Sequence, residues 1–160
     1  MGGRDVKFLE KGGDILRIAL PTTAYMITFA RHDSVGRTSF WQSLCVTLYA
    51  TQGLKWLVKK ERPNGDCCDG FPSGHTSVSF QGASFIQIRY GWKYGLPAYG
   101  CAVLVGYSRI GADKHDPYDV IAGAVLGCLS SYLFTRQAEK YYMGVTSTPE
   151  IVGIAVAYRW

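Results

Sequence analysis

The sequence predicts an all-α fold: a bundle of about five helices, with the active site at one end and a short C-terminal extended segment. Three observations predict it. Helix-length segments follow one another between Gly, Pro and Asx breakers. No strand pattern alternates with them, which excludes a parallel α/β sheet. The residues able to carry chemistry gather where the segments begin or end.

The first helix is expected over 14–31, stopped by the turn-forming run His32-Asp33-Ser34-Val35-Gly36. Ser39-Phe40-Trp41-Gln42 has capping-box spacing and opens the second, which runs to about Glu61 before Pro63. Residues 63–72 carry every loop signal. A third helix follows from Gly74 to Tyr90 and a fourth from Tyr94 to Arg109. Asp116-Pro117 reads as an N-cap with proline at the first helical position, opening a fifth helix to Phe134. In residues 151–160 large apolar side chains alternate with mostly small ones, the period of a strand. The division expected is a helical domain over 1–148 and a tail over 149–160. A single strand needs backbone partners. The tail is therefore expected either to lie along the bundle or to pair with another copy or a partner's sheet edge.

The chain has 160 residues, enough for one domain with its own core. Seventeen basic and twelve acidic residues leave a charge of +5 without basic runs, so nucleic acid is not an expected partner, whereas an anionic ligand is. Five cysteines are too few for a disulfide scaffold. Cys45, Cys101 and Cys128 lie in apolar helical segments and read as small core residues. Cys67 and Cys68 adjoin in a loop. No Cys–His spacing suggests zinc, and no metal or cofactor is expected. Met1–Asp14 holds six charged residues and no apolar run, unlike a signal peptide. Uncharged stretches recur at 18–30, 38–54, 70–88, 94–108 and 120–135, mostly shorter than the roughly 20 residues that span a bilayer. Trp41, Trp56 and Trp92 lie near their ends, as interfacial aromatics do, and membrane association is favoured over a soluble state.

Three clusters carry the chemistry. Lys55 and Arg62 lie two turns apart on one helix face, with Lys59 between them. Alone they read as a solvated helix end. Pro72-Ser73-Gly74-His75 delivers a small residue, a glycine and a histidine to a helix start, where free N–H groups attract anions. Alone this reads as a cap. Ser108-Arg109 precedes His115 and Asp119. Arg109 offers a fork for phosphate oxygens, and Asp119, early in its helix, can reach back to one nitrogen of His115. Alone, Asp119 reads as a complement to the helix dipole. Two of the chain's three histidines fall in these clusters, and a bundle can bring them to one end.

Lys-x6-Arg-Pro, Pro-Ser-Gly-His and Ser-Arg-x5-His-x3-Asp together resemble the three-part signature of the type-2 phosphatidic acid phosphatase superfamily, from Lys55 to Asp119. The resemblance implies a metal-independent phosphatase. His115 would attack phosphorus and form a phosphohistidine, supported by Asp119. His75 would protonate the leaving oxygen and then activate water. Lys55, Arg62, Ser73, Gly74 and Arg109 would hold the phosphoryl oxygens. Lys59, Lys60 and Glu61 match no motif position and read as solvated neighbours. His32 reads as a turn residue, and Tyr107 and Phe71 are expected to wall the pocket.

The leading expectation is hydrolysis of a lipid phosphate or pyrophosphate at a membrane, with the site open to the extracytoplasmic side. The alternatives are a soluble periplasmic acid phosphatase or phosphotransferase on small phosphoesters, a vanadium-dependent haloperoxidase, and a binding protein that keeps a phosphate site. The residues leave the particular substrate and the oligomeric state open.

Overall fold

The computed structural model describes residues 3–65, 68–137, 141–148 and 151–158. Five helices follow in order: α1 (Gly3–Ala30), α2 (Ser34–Val58), α3 (Gly74–Tyr90), α4 (Trp92–Gly111) and α5 (Pro117–Phe134). Two strands, β1 (Tyr141–Thr148) and β2 (Ile151–Tyr158), complete the described chain. The all-α bundle is as expected, and α3 and α5 have the expected limits.

Two starts differ. Helix α1 begins at Gly3, far ahead of residue 14, so the charged N-terminal segment is helical. Helix α2 opens at Ser34, because Asp33 and not Ser39 caps it: Gly36 N–H donates to Asp33 Oδ1 at 2.8 Å. Ser39 is buried instead. His32 sits in the turn between them with φ 51°, as its turn reading requires. Helix α2 ends at Val58, and Lys59 takes a left-handed φ of 46°. Arg62 therefore comes from the following loop and does not share a helix face with Lys55.

The tail forms a strand, and its partner lies in the same chain. β1 pairs with β2 antiparallel, Tyr141 opposite Tyr158 and Thr148 opposite Ile151. Neither expected partner accounts for these backbone bonds. The alternation in residues 151–158 was legible, but Tyr141–Thr148 has a weaker pattern.

Helix α3 is the central element and packs against all four other helices. Its seam with α5 is made of small residues. A Cβ on Gly127 would lie 2.2 Å from the Ser77 carbonyl oxygen and 2.7 Å from the Gln81 nitrogen, so only glycine lets the backbones approach this closely. Ser131 Oγ donates to the Gln81 carbonyl at 2.8 Å, and Gln81 Nε2 donates to Ser43 Oγ at 2.9 Å. The interior thus holds many small polar groups with hydrogen-bond partners. Apolar packing concentrates around Phe40, Phe85, Ala24 and Ile86. Many large apolar side chains face outward, among them Trp56, Leu57, Leu96, Leu129 and Leu133.

Candidate active site

The site lies where the loop 59–73 meets the starts of α3 and α5. Gly70 closes that loop on itself: its N–H donates to the Lys60 carbonyl at 2.8 Å. A Cβ there would lie 2.9 Å from the Glu61 carbonyl oxygen, so the turn needs glycine. The Phe71–Pro72 peptide is cis. Ser73 then docks the start of α3 on α5, its N–H donating to the Asp119 carbonyl at 2.9 Å. Ser73 occupies the N-cap position, but its side chain makes no capping bond; its hydroxyl accepts from Thr76 Oγ1 at 3.0 Å.

One cavity of about 380 Å³ is lined by five of the residues singled out in the sequence: Lys55, Arg62, Gly74, His75 and His115. They come from α2, the following loop, α3 and the α4–α5 connection. Ser73, Arg109 and Asp119 lie behind its wall, each almost wholly buried. Phe71 and Tyr107 are not among the lining residues, so their expected place on the wall is not met.

His115 is oriented through Nδ1, which lies 2.7 Å from the Gly70 carbonyl oxygen. A carbonyl can only accept, so Nδ1 carries the proton and Nε2 keeps its lone pair. Asp119 was expected in that role. Its Oδ2 stands 3.8 Å from Nδ1 and accepts the Asp116 N–H at 2.9 Å, while Oδ1 accepts from Lys60 Nζ at 2.7 Å. The capping box of α5 thus engages the carboxylate, and Gly70 holds the imidazole. Burial first, and then the Lys55 and Arg62 cations, lower the His115 pKa below its ordinary value, against the Gly70 bond. Both effects favour the neutral imidazole, the state a nucleophile needs.

Lys60, read as a solvated neighbour, instead bridges Asp119 and Asp116, the latter at 2.9 Å. The Asp119 bond and then the Asp116 bond raise its pKa. It neutralises a wholly buried carboxylate. No motif position marks it, and only the turn after α2 aims it there.

Acidic side chains meet the cations in turn. Arg62 Nη2 donates to Asp69 Oδ2 at 2.9 Å, and its Nε lies 2.8 Å from Oδ1 in the same ion pair. Lys55 Nζ donates to the Asp69 carbonyl. Arg109 was expected among the phosphate ligands, but its fork turns to α1. Nη1 donates to Asp14 Oδ1 at 3.0 Å and Nη2 to the Glu10 carbonyl at 2.8 Å. Lys114 pairs with Glu10 as well. The same Asp14 oxygen is 2.9 Å from His75 Nε2, and Arg17 Nη1 lies 2.7 Å from that nitrogen. Asp14 and Arg17 were missed in the sequence because nothing in their spacing connects them to residues some sixty positions on.

Cys45, Cys101 and Cys128 carry free thiols, and Cys45 is exposed, which departs from a core reading. Cys68 is disulfide-bonded, and Cys67 lies outside the described residues.

A helical bundle whose elements converge with two histidines and fixed cations on one polar cavity has the equipment for phosphoryl chemistry without a sheet or nucleotide loop. Comparison with known proteins defines the class. Residues 38–143 match the PAP2 superfamily. The lipid A 4′-phosphatase of Helicobacter pylori is 32% identical, over 95% of this chain and 85% of that protein. The lipid A 1-phosphatase of Porphyromonas gingivalis is 30% identical, over 59% of this chain and 24% of that one. The crystal structure of Aquifex aeolicus LpxE superposes with a TM-score of 0.71 at 20% identity, covering 83% of this chain and 86% of that one, a likeness of fold. The chain belongs to the PAP2 superfamily and is a phosphatase of that type.

Proposed function

We propose that this phosphatase hydrolyses a phosphomonoester or diphosphate of a lipid at the cavity, through a phosphohistidine on His115. The observation that carries the reading is the convergence of His115, His75, Lys55 and Arg62 on one cavity. His115 Nε2 attacks phosphorus while Gly70 keeps the proton on Nδ1. Lys55, Arg62 and the start of α3 at Gly74 hold the phosphoryl oxygens, with Ser73 fixing that start on α5, and Arg109 joins them when α1 releases its fork. His75 protonates the leaving oxygen and then activates water. The names of the relatives, two lipid A phosphatases and the undecaprenyl-diphosphatase of Sulfolobus acidocaldarius, support a phosphorylated lipid as substrate.

The surface supports a membrane location. Small polar residues lie inside while Trp56, Leu57, Leu96 and Leu133 face outward, the reverse of a water-soluble core. Helix α5, Pro117–Phe134, is long and apolar enough to cross a bilayer. The site opens on the extracytoplasmic side in this reading. The test is phosphate release from phosphatidate, phosphatidylglycerophosphate, a polyprenyl diphosphate, lipid A and p-nitrophenyl phosphate in one detergent. Faster turnover of the soluble ester than of every lipid counts against a lipid substrate.

Side-chain cations here match the charge of the transferring group. Phosphate release is accordingly expected to persist in EDTA, and vanadate is expected to inhibit by mimicking the five-coordinate transition state on His115. Activity lost to EDTA and restored by a divalent metal would overturn the mechanism.

Asp119→Asn checks the division of labour around His115. Loss of tautomer control by a triad carboxylate lowers kcat about 10⁴-fold in a serine protease. Here Gly70 keeps the tautomer, so kcat is expected to fall by roughly tenfold, the cost of a weakened charge interaction. A fall near 10⁴ would return the orienting role to Asp119.

A further inference from the structure

We propose that Arg17 on α1 is a catalytic residue on the leaving-group side, donating with His75 to the oxygen that departs from phosphorus. The proposal rests on the phosphatase reading above and extends it to a helix outside the matched region, residues 38–143.

Two observations carry it. Arg17 is exposed and lines the same cavity as Lys55, Arg62 and His115. Its Nη1 lies 2.7 Å from His75 Nε2 and 3.4 Å from Nδ1, so it accompanies the imidazole that serves as acid. Second, an anionic oxygen already occupies this spot. Asp14 Oδ1 lies 2.9 Å from His75 Nε2 and 3.0 Å from Arg109 Nη1. Both nitrogens belong to residues assigned to the substrate. The Asp14 oxygen therefore stands in for a substrate oxygen between His75 and Arg109, and Arg17 Nη1 reaches His75 Nε2 beside it.

In the first step the His115 Nε2 lone pair forms the bond to phosphorus as the P–O bond to the leaving group breaks. The electron pair of that bond moves to the leaving oxygen. At rest His75 Nε2 accepts from Arg17; when Arg17 Nη1 turns to the leaving oxygen, Nε2 takes up a solvent proton and passes it to that oxygen. In a loose phosphoryl transition state this oxygen gains negative charge before the proton has fully arrived. A guanidinium N–H aimed at it stabilises that charge without reorganisation. The demand is greatest when the leaving group is a basic alcohol, as in a sugar or alkyl phosphate. It is small for a nitrophenolate, which carries its own charge well.

The experiment compares Arg17→Gln and Arg17→Lys with wild type on dodecyl phosphate and p-nitrophenyl phosphate in one detergent. Arg17→Gln is expected to lower kcat/KM on dodecyl phosphate by about a hundredfold, and on p-nitrophenyl phosphate by less than about threefold. Arg17→Lys, which keeps the charge, is expected to recover part of the loss. Equal losses on both esters, or none, overturn the proposal. Inorganic phosphate supplies a second reading that does not depend on turnover. Asp14→Asn, which lacks the competing anionic oxygen, is expected to bind it several-fold more tightly, and weaker binding overturns the stand-in role. A wild-type protein that takes phosphate from neither ester overturns the phosphatase reading itself. An active wild type with indifferent Arg17 variants overturns this inference alone.

Discussion

His115→Ala is expected to abolish the phosphoenzyme and to lower kcat by on the order of 10⁶, the scale seen when a covalent nucleophile is removed from a hydrolase. The structure gives the reason. His115 is 4% exposed, Gly70 fixes its proton on Nδ1, and Lys55 and Arg62 border the same cavity. His75→Ala is expected to fail differently. Removing a general acid costs about 10²–10⁴-fold, and an aryl phosphate needs little protonation, so its first step should survive and the phosphoenzyme should accumulate. Acid-quenched labelling with an aryl phosphate separates the two variants. A normal phosphoenzyme in His115→Ala would remove it from the nucleophile's role.

Asp33→Ala is expected to lower the free energy of unfolding by about 3–5 kcal/mol, the cost of stranding a buried partner. Asp33 and Arg89 side chains are 9% and 7% exposed. Both carboxylate oxygens receive the guanidinium, each at 2.6 Å. Oδ2 also accepts the Tyr90 hydroxyl at 3.0 Å, and Oδ1 accepts the Gly36 N–H. Arg89 Nη1 continues to the carbonyls of Arg136 at 2.7 Å and Gln137 at 3.1 Å. One pair therefore joins the α1–α2 turn, the end of α3 and the exit from α5. Burial alone would raise the Asp33 pKa, but Arg89, Gly36 and Tyr90 outweigh it and hold it below the usual carboxylate value of 3.8. Its contribution to stability is fully present above that value and disappears as pH falls through the lower folded one. The site lies at the other end of α3, about 25 Å away by helix rise. Folded Asp33→Ala protein is expected to keep its kcat. Denaturant titration and phosphate release in one detergent check both halves. A stability loss below about 1 kcal/mol would mean the Arg89 charge is solvated once its partner is gone.

Much of the bundle was legible because its boundaries are local. Gly74, Asp116 and Pro117 act through their own backbone, and the starts of α3 and α5 fall where they stand. The start of α2 was misplaced because Ser39-x-x-Gln42 imitates a capping box, whereas Asp33 makes the bond. Mean hydropathy averages over both faces of a helix. Among the described residues many serines and threonines are buried while Trp41, Trp56 and Trp92 are exposed, a sorting that only the fold reveals.

Composition and motif spacing were enough to read the inventory and its chemistry class: two histidines, Lys55, Arg62 and Arg109 at motif spacing, on helix ends that a bundle can gather. Which of these residues touch one another came from the packing of the helices. Gly70 accepts from His115 Nδ1, with Asp119 standing 3.8 Å from the same nitrogen; Lys60 neutralises Asp119; and α1 brings Asp14 and Arg17 to His75. The physical reason is range. A cap or a helix stop is settled within a few residues, while a hydrogen bond across fifty or more depends on how whole helices pack.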